Sequence, residues 1–157
     1  MKKENKLTSK LLIELFLVPI AISYIYYLIL NNHTKASLVI MSIIIFFTCL
    51  EFAIKYIKEV IIYENKNNLF KIIYSVFSIL LIIITVLNLF INNNIIAITF
   101  KTGTIILLIY LLYYIIINIK GVMNNTKEFS KTIVISFISL IAFCLILTSF
   151  FITFEII

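Results

Sequence analysis

Residues 69–91 read LFKIIYSVFSILLIIITVLNLFI and contain a single charged side chain, that of Lys71. A helix of this length, rising about 1.5 Å per residue, crosses a hydrocarbon core of about 30 Å. A strand of a membrane barrel is shorter and alternates apolar with polar residues, unlike this run. The stretch therefore predicts a transmembrane helix.

Four further apolar runs share this character, at residues 11–30, 36–57, 95–119 and 132–154. Hydrophobic residues make up 63% of the 157-residue chain and charged residues only 13%, and the mean hydropathy is +1.18. Soluble domains have about a quarter of their residues charged, so lipid must cover this chain instead. The sequence predicts a single polytopic domain over residues 1–157, an all-α membrane protein built as a bundle of about five transmembrane helices.

Lysines alternate between the two ends of these runs. Eleven of the thirteen lie at the N-terminus or around the second and fourth connections, whereas the first and third connections have one each, Lys35 and Lys101. The positive-inside rule then places the N-terminus in the cytoplasm and the C-terminus outside. The same clustering explains the net charge of +6 by membrane topology, so we expect no nucleic-acid partner. Abundant Ile, Asn and Lys are typical of an AT-rich bacterial genome, which predicts a bacterial cytoplasmic membrane.

Two features leave alternatives to this topology. The fourth run is interrupted at residues 101–103 by Lys, Thr and Gly, but without that span the alternation of lysines would fail. The N-terminus resembles a signal peptide, with Lys2 and Lys3 before an apolar stretch and a cleavage-like triplet at residues 21–23. Because the apolar run continues through Leu30 and contains Glu14, a retained first span is favoured.

Three ionisable residues lie within the predicted spans: Glu14 in the first, and Glu51 and Lys55 in the second. Charges at this depth are costly unless paired or hydrated, so they indicate a candidate intramembrane ionic site. Glu51 and Lys55 are four residues apart, and Glu14 is at a depth comparable to that of Lys55. Two interpretations stay open, an ion or proton site and a structural ion pair with snorkelling ends. Pro19, five residues beyond Glu14, predicts a bend beside this carboxylate.

Small polar residues recur at helical spacing in the third and fifth runs. Such faces allow membrane helices to approach closely and hydrogen-bond, although they can also line a polar pathway. Helix packing is the more frequent cause. The candidate helix-packing faces are Ser75, Ser78 and Thr85 in the third run and Ser136, Ser139 and Ser149 in the fifth.

The usual motifs of enzymes and metal sites cannot be assembled from this sequence. It has one histidine, His33, no Asp, no Cys-x-x-Cys pair and no glycine-rich phosphate loop. Cys49 and Cys144 both fall inside apolar runs, where thiols usually behave as small apolar residues. We therefore expect no catalytic residues, no metal and no cofactor.

The combination of short connections and packing faces favours a non-catalytic partner protein. Examples are an immunity protein against a membrane-active toxin or bacteriocin and an accessory subunit of a membrane complex. Its expected partners are the lipid bilayer and a membrane protein or membrane-active peptide. The alternative is a transporter or channel component for a small solute, ion or proton that uses Glu14, Glu51 and Lys55. The scarcity of glycine and proline weakens this alternative, because broken helices usually mark substrate sites.

Overall fold

A computed structural model of the protein describes the backbone of residues 2–31, 33–62, 68–124 and 129–154. Within those ranges it describes the side chains from Leu15 onward, except those of residues 68 and 129. Every regular element in these ranges is an α-helix. The five helices are α1 (Lys2–Leu30), α2 (Thr34–Ile62), α3 (Asn68–Phe90), α4 (Asn94–Met123) and α5 (Phe129–Thr153).

The helices coincide with the predicted spans and extend several of them. Helix α1 begins nine residues before the predicted first span, and α2 continues five residues beyond position 57. Within the described residues, four helices are long and apolar enough to cross a membrane, and α1 adds a shorter apolar segment, Leu15–Leu30. The prediction of an all-α membrane bundle is thereby confirmed. The chain is a multi-pass membrane protein.

Helix α4 is continuous through the polar interruption at residues 101–103. The side-chain oxygen of Asn93 accepts a hydrogen bond from the Ile95 amide at 2.8 Å and caps the start of the helix. The hydroxyl of Thr102 is satisfied within the helix, by the Ile98 and Thr99 carbonyls. Helix α4 therefore accommodates the polar residues at 101–103 without a break, and the hydroxyl among them is hydrogen-bonded to the helix backbone.

The chain forms two compact units, and the single polytopic domain over residues 1–157 stays a prediction. The first unit, residues 1–38 and 108–157, contains α1, the first turn of α2, the second half of α4 and α5. Its core is Leu15, Ile115 and Leu140, with partly buried neighbours that include Phe137 and Cys144. Residues on both sides of the cleavage-like triplet at 21–23 belong to this unit, since Leu15 is in the core and Tyr26 bonds to α5.

The second unit is one continuous segment, residues 39–107, with most of α2, all of α3 and the first half of α4. Met41, Ile45 and Phe100 are fully buried. Gly103 permits a close approach of α3 and α4, because a Cβ atom built there would lie 2.6 Å from Cδ1 of Leu81. Leu81 is itself 1% exposed, so glycine at this position matches a tightly packed neighbour.

The orientation of the helices in the membrane is a prediction that reporter fusions can test. A reporter active only in the cytoplasm should function when fused after Asn67 or Asn125 and fail after His33 or Ile157, because the lysine-rich connections stay inside. Reporter activity should be normalised to the amount of each fusion in the membrane. Activity of the fusion at Ile157 would contradict a fifth crossing or invert the topology.

Candidate functional site

Apart from Lys35 in its first turn, the charged residues of α2 lie close to its C-terminal end, the predicted cytoplasmic end. The ion pair found there joins Glu59 to Lys71 of α3, with 2.8 Å between Oε2 and Nζ. Both side chains are about one-third exposed, as expected for a pair at the headgroup level. The Nζ of Lys55 lies 5.9 Å from the centroid of the Tyr56 ring, within the range of a cation–π interaction.

Aromatic rings join α2 to α3 at the same level. Tyr56 stacks on Phe52 of its own helix, with 6.1 Å between ring centroids, and lies 6.4 Å from Tyr74 of α3. Tyr74 in turn meets Phe70 at 4.7 Å. Tyrosines prefer the boundary between hydrocarbon and headgroups. Together with the adjacent ion pair, they mark where α2 and α3 leave the hydrocarbon.

Glu51 lies on the hydrocarbon side of this boundary. It is five residues before Tyr56, about 8 Å deeper along the helix axis. Its side chain is exposed, and neither Lys55 nor any other residue within the described ranges forms a hydrogen bond or ion pair with it. A charge near the centre of a transmembrane helix costs about 2.5–3.5 kcal/mol on insertion scales, and somewhat less near the boundary. Among the described side chains, Glu51 thus has no compensating partner, and it lies on a surface that they leave exposed.

Glu14, the third member of the predicted ionic site, is described only by its backbone. The backbone of Glu14 belongs to α1, but its side chain lies outside the described residues. Pro19 is buried within α1, which runs from Lys2 to Leu30 around it. Whether Glu14, Glu51 and Lys55 act together therefore stays a prediction.

The candidate packing faces are largely covered by the chain itself. Ser75, Ser78, Thr85, Ser136 and Ser149 are buried, and Ser139 is half-buried. Most of these hydroxyls hydrogen-bond to carbonyls of their own helix three or four residues earlier. Such donations are made by Ser75 to Ile72, Thr85 to Leu81, Ser136 to Thr132 and Ser139 to Ile135, at 2.6–2.9 Å.

A hydroxyl cluster joins three helices of the first unit. The hydroxyls of Tyr26 and Ser149 share a hydrogen bond of 2.7 Å. Ser37 of α2 donates to the Ser149 carbonyl at 3.1 Å, and its Oγ lies 3.1 Å from Oγ1 of Thr153. Because Ser37 has one hydroxyl proton, Thr153 must be the donor in that second bond. Sequence reasoning placed Ser149 on a packing face, but no local signal indicated Tyr26 as its partner.

The remaining reactive side chains are isolated. Cys49 and Cys144 are free thiols, Cys49 buried in the second unit and Cys144 beside Ser23 in the first. His33 is exposed in the connection between α1 and α2. Within the ranges that the structure describes, no three residues of the His, Cys, Asp or Glu types are grouped so as to hold a metal ion.

Comparison of the chain with protein-family models, with characterised proteins and with solved structures finds no match. The class of protein therefore follows from the fold itself, which is that of a multi-pass, all-α membrane protein.

The ion pair between α2 and α3 should contribute little to stability. A double-mutant cycle with Glu59→Gln, Lys71→Met and the double variant measures the coupling free energy of the pair. We expect it to be below about 1 kcal/mol, since both groups are partly exposed and solvent screens them. Thermal unfolding of the four purified proteins in one detergent measures this value. A coupling of several kcal/mol would show that the pair is shielded from water.

Proposed function

We propose that this chain is a small non-catalytic protein of a bacterial cytoplasmic membrane that acts through protein–protein contacts within the bilayer. An immunity protein against a membrane-active toxin or bacteriocin, or an accessory subunit of a membrane complex, would have this role. The observation that carries the proposal is that most of the described hydroxyl groups within the predicted spans hydrogen-bond to backbone or to each other. The buried hydroxyls of Ser23 and Ser42 make no hydrogen bond within the described residues.

A hydroxyl whose proton is donated within the protein cannot donate it to a passing solute. Here Thr48, Thr85, Thr104 and Thr148 donate to carbonyls four residues earlier in their own helices, at 2.6–2.8 Å. Ser37 and Ser149 hydrogen-bond across helices. These arrangements support a packing role for the polar residues over a transport pathway.

The surface left for recognition is mainly apolar helix. The connections between α1 and α2 and between α3 and α4 span only residues 31–33 and 91–93. In each of the four long helices, at most 39% of the most apolar 18-residue stretch is buried by the rest of the chain, and in α3 the share is 22%. A partner would therefore meet helix faces within the bilayer, because the described connections present little protein to water.

Photo-crosslinking at two adjacent positions of α3 tests the proposal. Leu80 is 52% exposed and Leu81 is 1% exposed, so a photoreactive amino acid at position 80 should crosslink a discrete membrane protein or peptide in the native host. The same amino acid at position 81 is the matched control and should react only within the chain. Positions Val76 and Ile83, both 50% exposed, extend the scan along the same helix.

The outcomes separate the proposed role from its alternative. A specific product from an exposed position, absent at position 81, supports the partner protein, and identification of that product names the partner. Lipid adducts alone at every exposed position would contradict it. Solute or ion flux through proteoliposomes that contain only this chain would replace it with the transport function.

A further inference from the structure

The surface of α2 around Glu51 combines large apolar side chains with one acid. Phe47, Glu51, Ile54, Lys58 and Ile61 follow one another at steps of four and three residues, and all five are exposed. This spacing places them on one face of the helix. We refer to these five residues as the Glu51 face.

The position of Glu51 within this face is unsuited to lipid. Lys35 and Lys58 bracket the hydrocarbon part of α2, because their separation of 23 residues matches a core of about 30 Å. Side chains in a helix lean toward its N-terminus. The Glu51 carboxylate is therefore directed away from the nearer boundary, at Tyr56, so snorkelling toward the headgroups is disfavoured. Lys58, two turns further along, already lies at the headgroup level.

We propose that the Glu51 face is covered by a transmembrane helix of a different protein, which presents a lysine or arginine at the depth of Glu51. This inference rests on the proposed function and specifies the chemistry of the partner. The paired cation would offset the cost of an ionised carboxylate in hydrocarbon. Phe47 and Ile54, one turn to either side, would supply the apolar contacts around the pair.

A second copy of this chain does not fit the Glu51 face. Two copies share one membrane orientation, and in a closed dimer the same face meets itself across the two-fold axis. Glu51 would then lie opposite the Glu51 of the other copy, so two carboxylates would be buried together. The lysine on this face cannot relieve that repulsion, because Lys58 is about 10 Å further along the helix axis.

Designed transmembrane peptides test this charge complementarity directly. The probe is a Leu/Ala peptide of about 20 residues with tyrosines at its ends and one lysine about five residues from a tyrosine. The comparison peptide has leucine in place of that lysine. Binding of labelled peptides to the full-length protein in proteoliposomes is measured by fluorescence energy transfer. Because the peptides insert in both orientations, some peptide molecules present the lysine at the depth of Glu51.

We expect the wild-type protein to bind the lysine peptide about tenfold more tightly than the leucine peptide. Glu51→Leu should abolish this preference and Glu51→Gln should weaken it. Glu59→Gln is the matched control and should retain it, since Glu59 is paired with Lys71. Helix content by circular dichroism and elution volume in size-exclusion chromatography establish that each variant is folded. If Glu51→Leu does not fold, the test uses Glu51→Gln, which keeps the shape of the side chain.

Equal binding of the two peptides to the wild type, or a preference that survives both substitutions of Glu51, would overturn the inference. The crosslinking at Leu80 is independent of Glu51. A specific crosslink together with no lysine preference would leave the proposed function standing and remove only the assignment of the partner's charge. Absence of both would remove the two proposals together.

Discussion

Replacing Ser149 by leucine is expected to destabilise the first unit by about 2–4 kcal/mol. Ser149 is fully buried, shares a 2.7 Å hydrogen bond with Tyr26, and its carbonyl accepts a hydrogen bond from Ser37. Leucine removes the hydroxyl and forces additional methyl groups into a packed contact between α1 and α5. Overpacking typically costs about 1–3 kcal/mol, and a hydrogen bond between membrane helices adds about 0.6 kcal/mol on average.

The measurement is the free energy of unfolding in mixed micelles, with Ser139→Leu as the matched control on the same helix. Ser139 is half-buried and donates only to Ile135 of its own helix, so its replacement should cost less than about 1 kcal/mol. Tyr26→Phe removes the shared hydrogen bond without adding volume and should fall between the two. Equal losses for Ser149→Leu and Ser139→Leu would show that the hydroxyl cluster does not hold α1 against α5.

The second large effect is expected at Gly103 in the second unit. Gly103→Leu should destabilise the protein by about 3 kcal/mol, since even a Cβ atom at this position would lie 2.6 Å from Cδ1 of the buried Leu81. Gly103→Ala should cost much less, because the atom that it meets is the end of a flexible side chain.

A size exchange between the two positions provides the control. Leu81→Ala alone leaves a cavity and should cost about 2–5 kcal/mol. In the double variant, the leucine introduced by Gly103→Leu can occupy that cavity, so we expect the double variant to be more stable than either single variant. Additive losses in thermal unfolding would mean that α3 and α4 do not approach each other at this pair.

The sequence was most informative where one physical requirement dominates. In hydrocarbon, backbone groups must be satisfied within the segment, so long apolar runs have to be helices. Even the interruption at residues 101–103 is helical, and the Thr102 hydroxyl is hydrogen-bonded to its own helix. The regular spacing of Ser75, Ser78 and Thr85 likewise indicated a face that the structure buries.

Partners distant in the chain could not be predicted in this way. The ion pair between Glu59 and Lys71 of the next helix was not among the pairs that spacing along the sequence suggested. This pair depends on the register of α2 against α3, where Tyr56 and Tyr74 are in contact. The bond from Tyr26 to Ser149 crosses 123 positions of sequence. Helical periodicity relates only residues a few positions apart, so it could not predict this hydrogen bond.

The division of the chain also has a consequence for its biosynthesis. The second unit is a continuous segment of residues 39–107, so it can assemble as soon as α4 begins to enter the membrane. Helix α1 is made first, but its partner α5 emerges last. At about 5–20 residues per second of translation, Tyr26 waits about 6–25 s for Ser149 to be synthesised. During that interval the contact between α1 and α5 cannot form, so the first unit is completed only after α5 has been made.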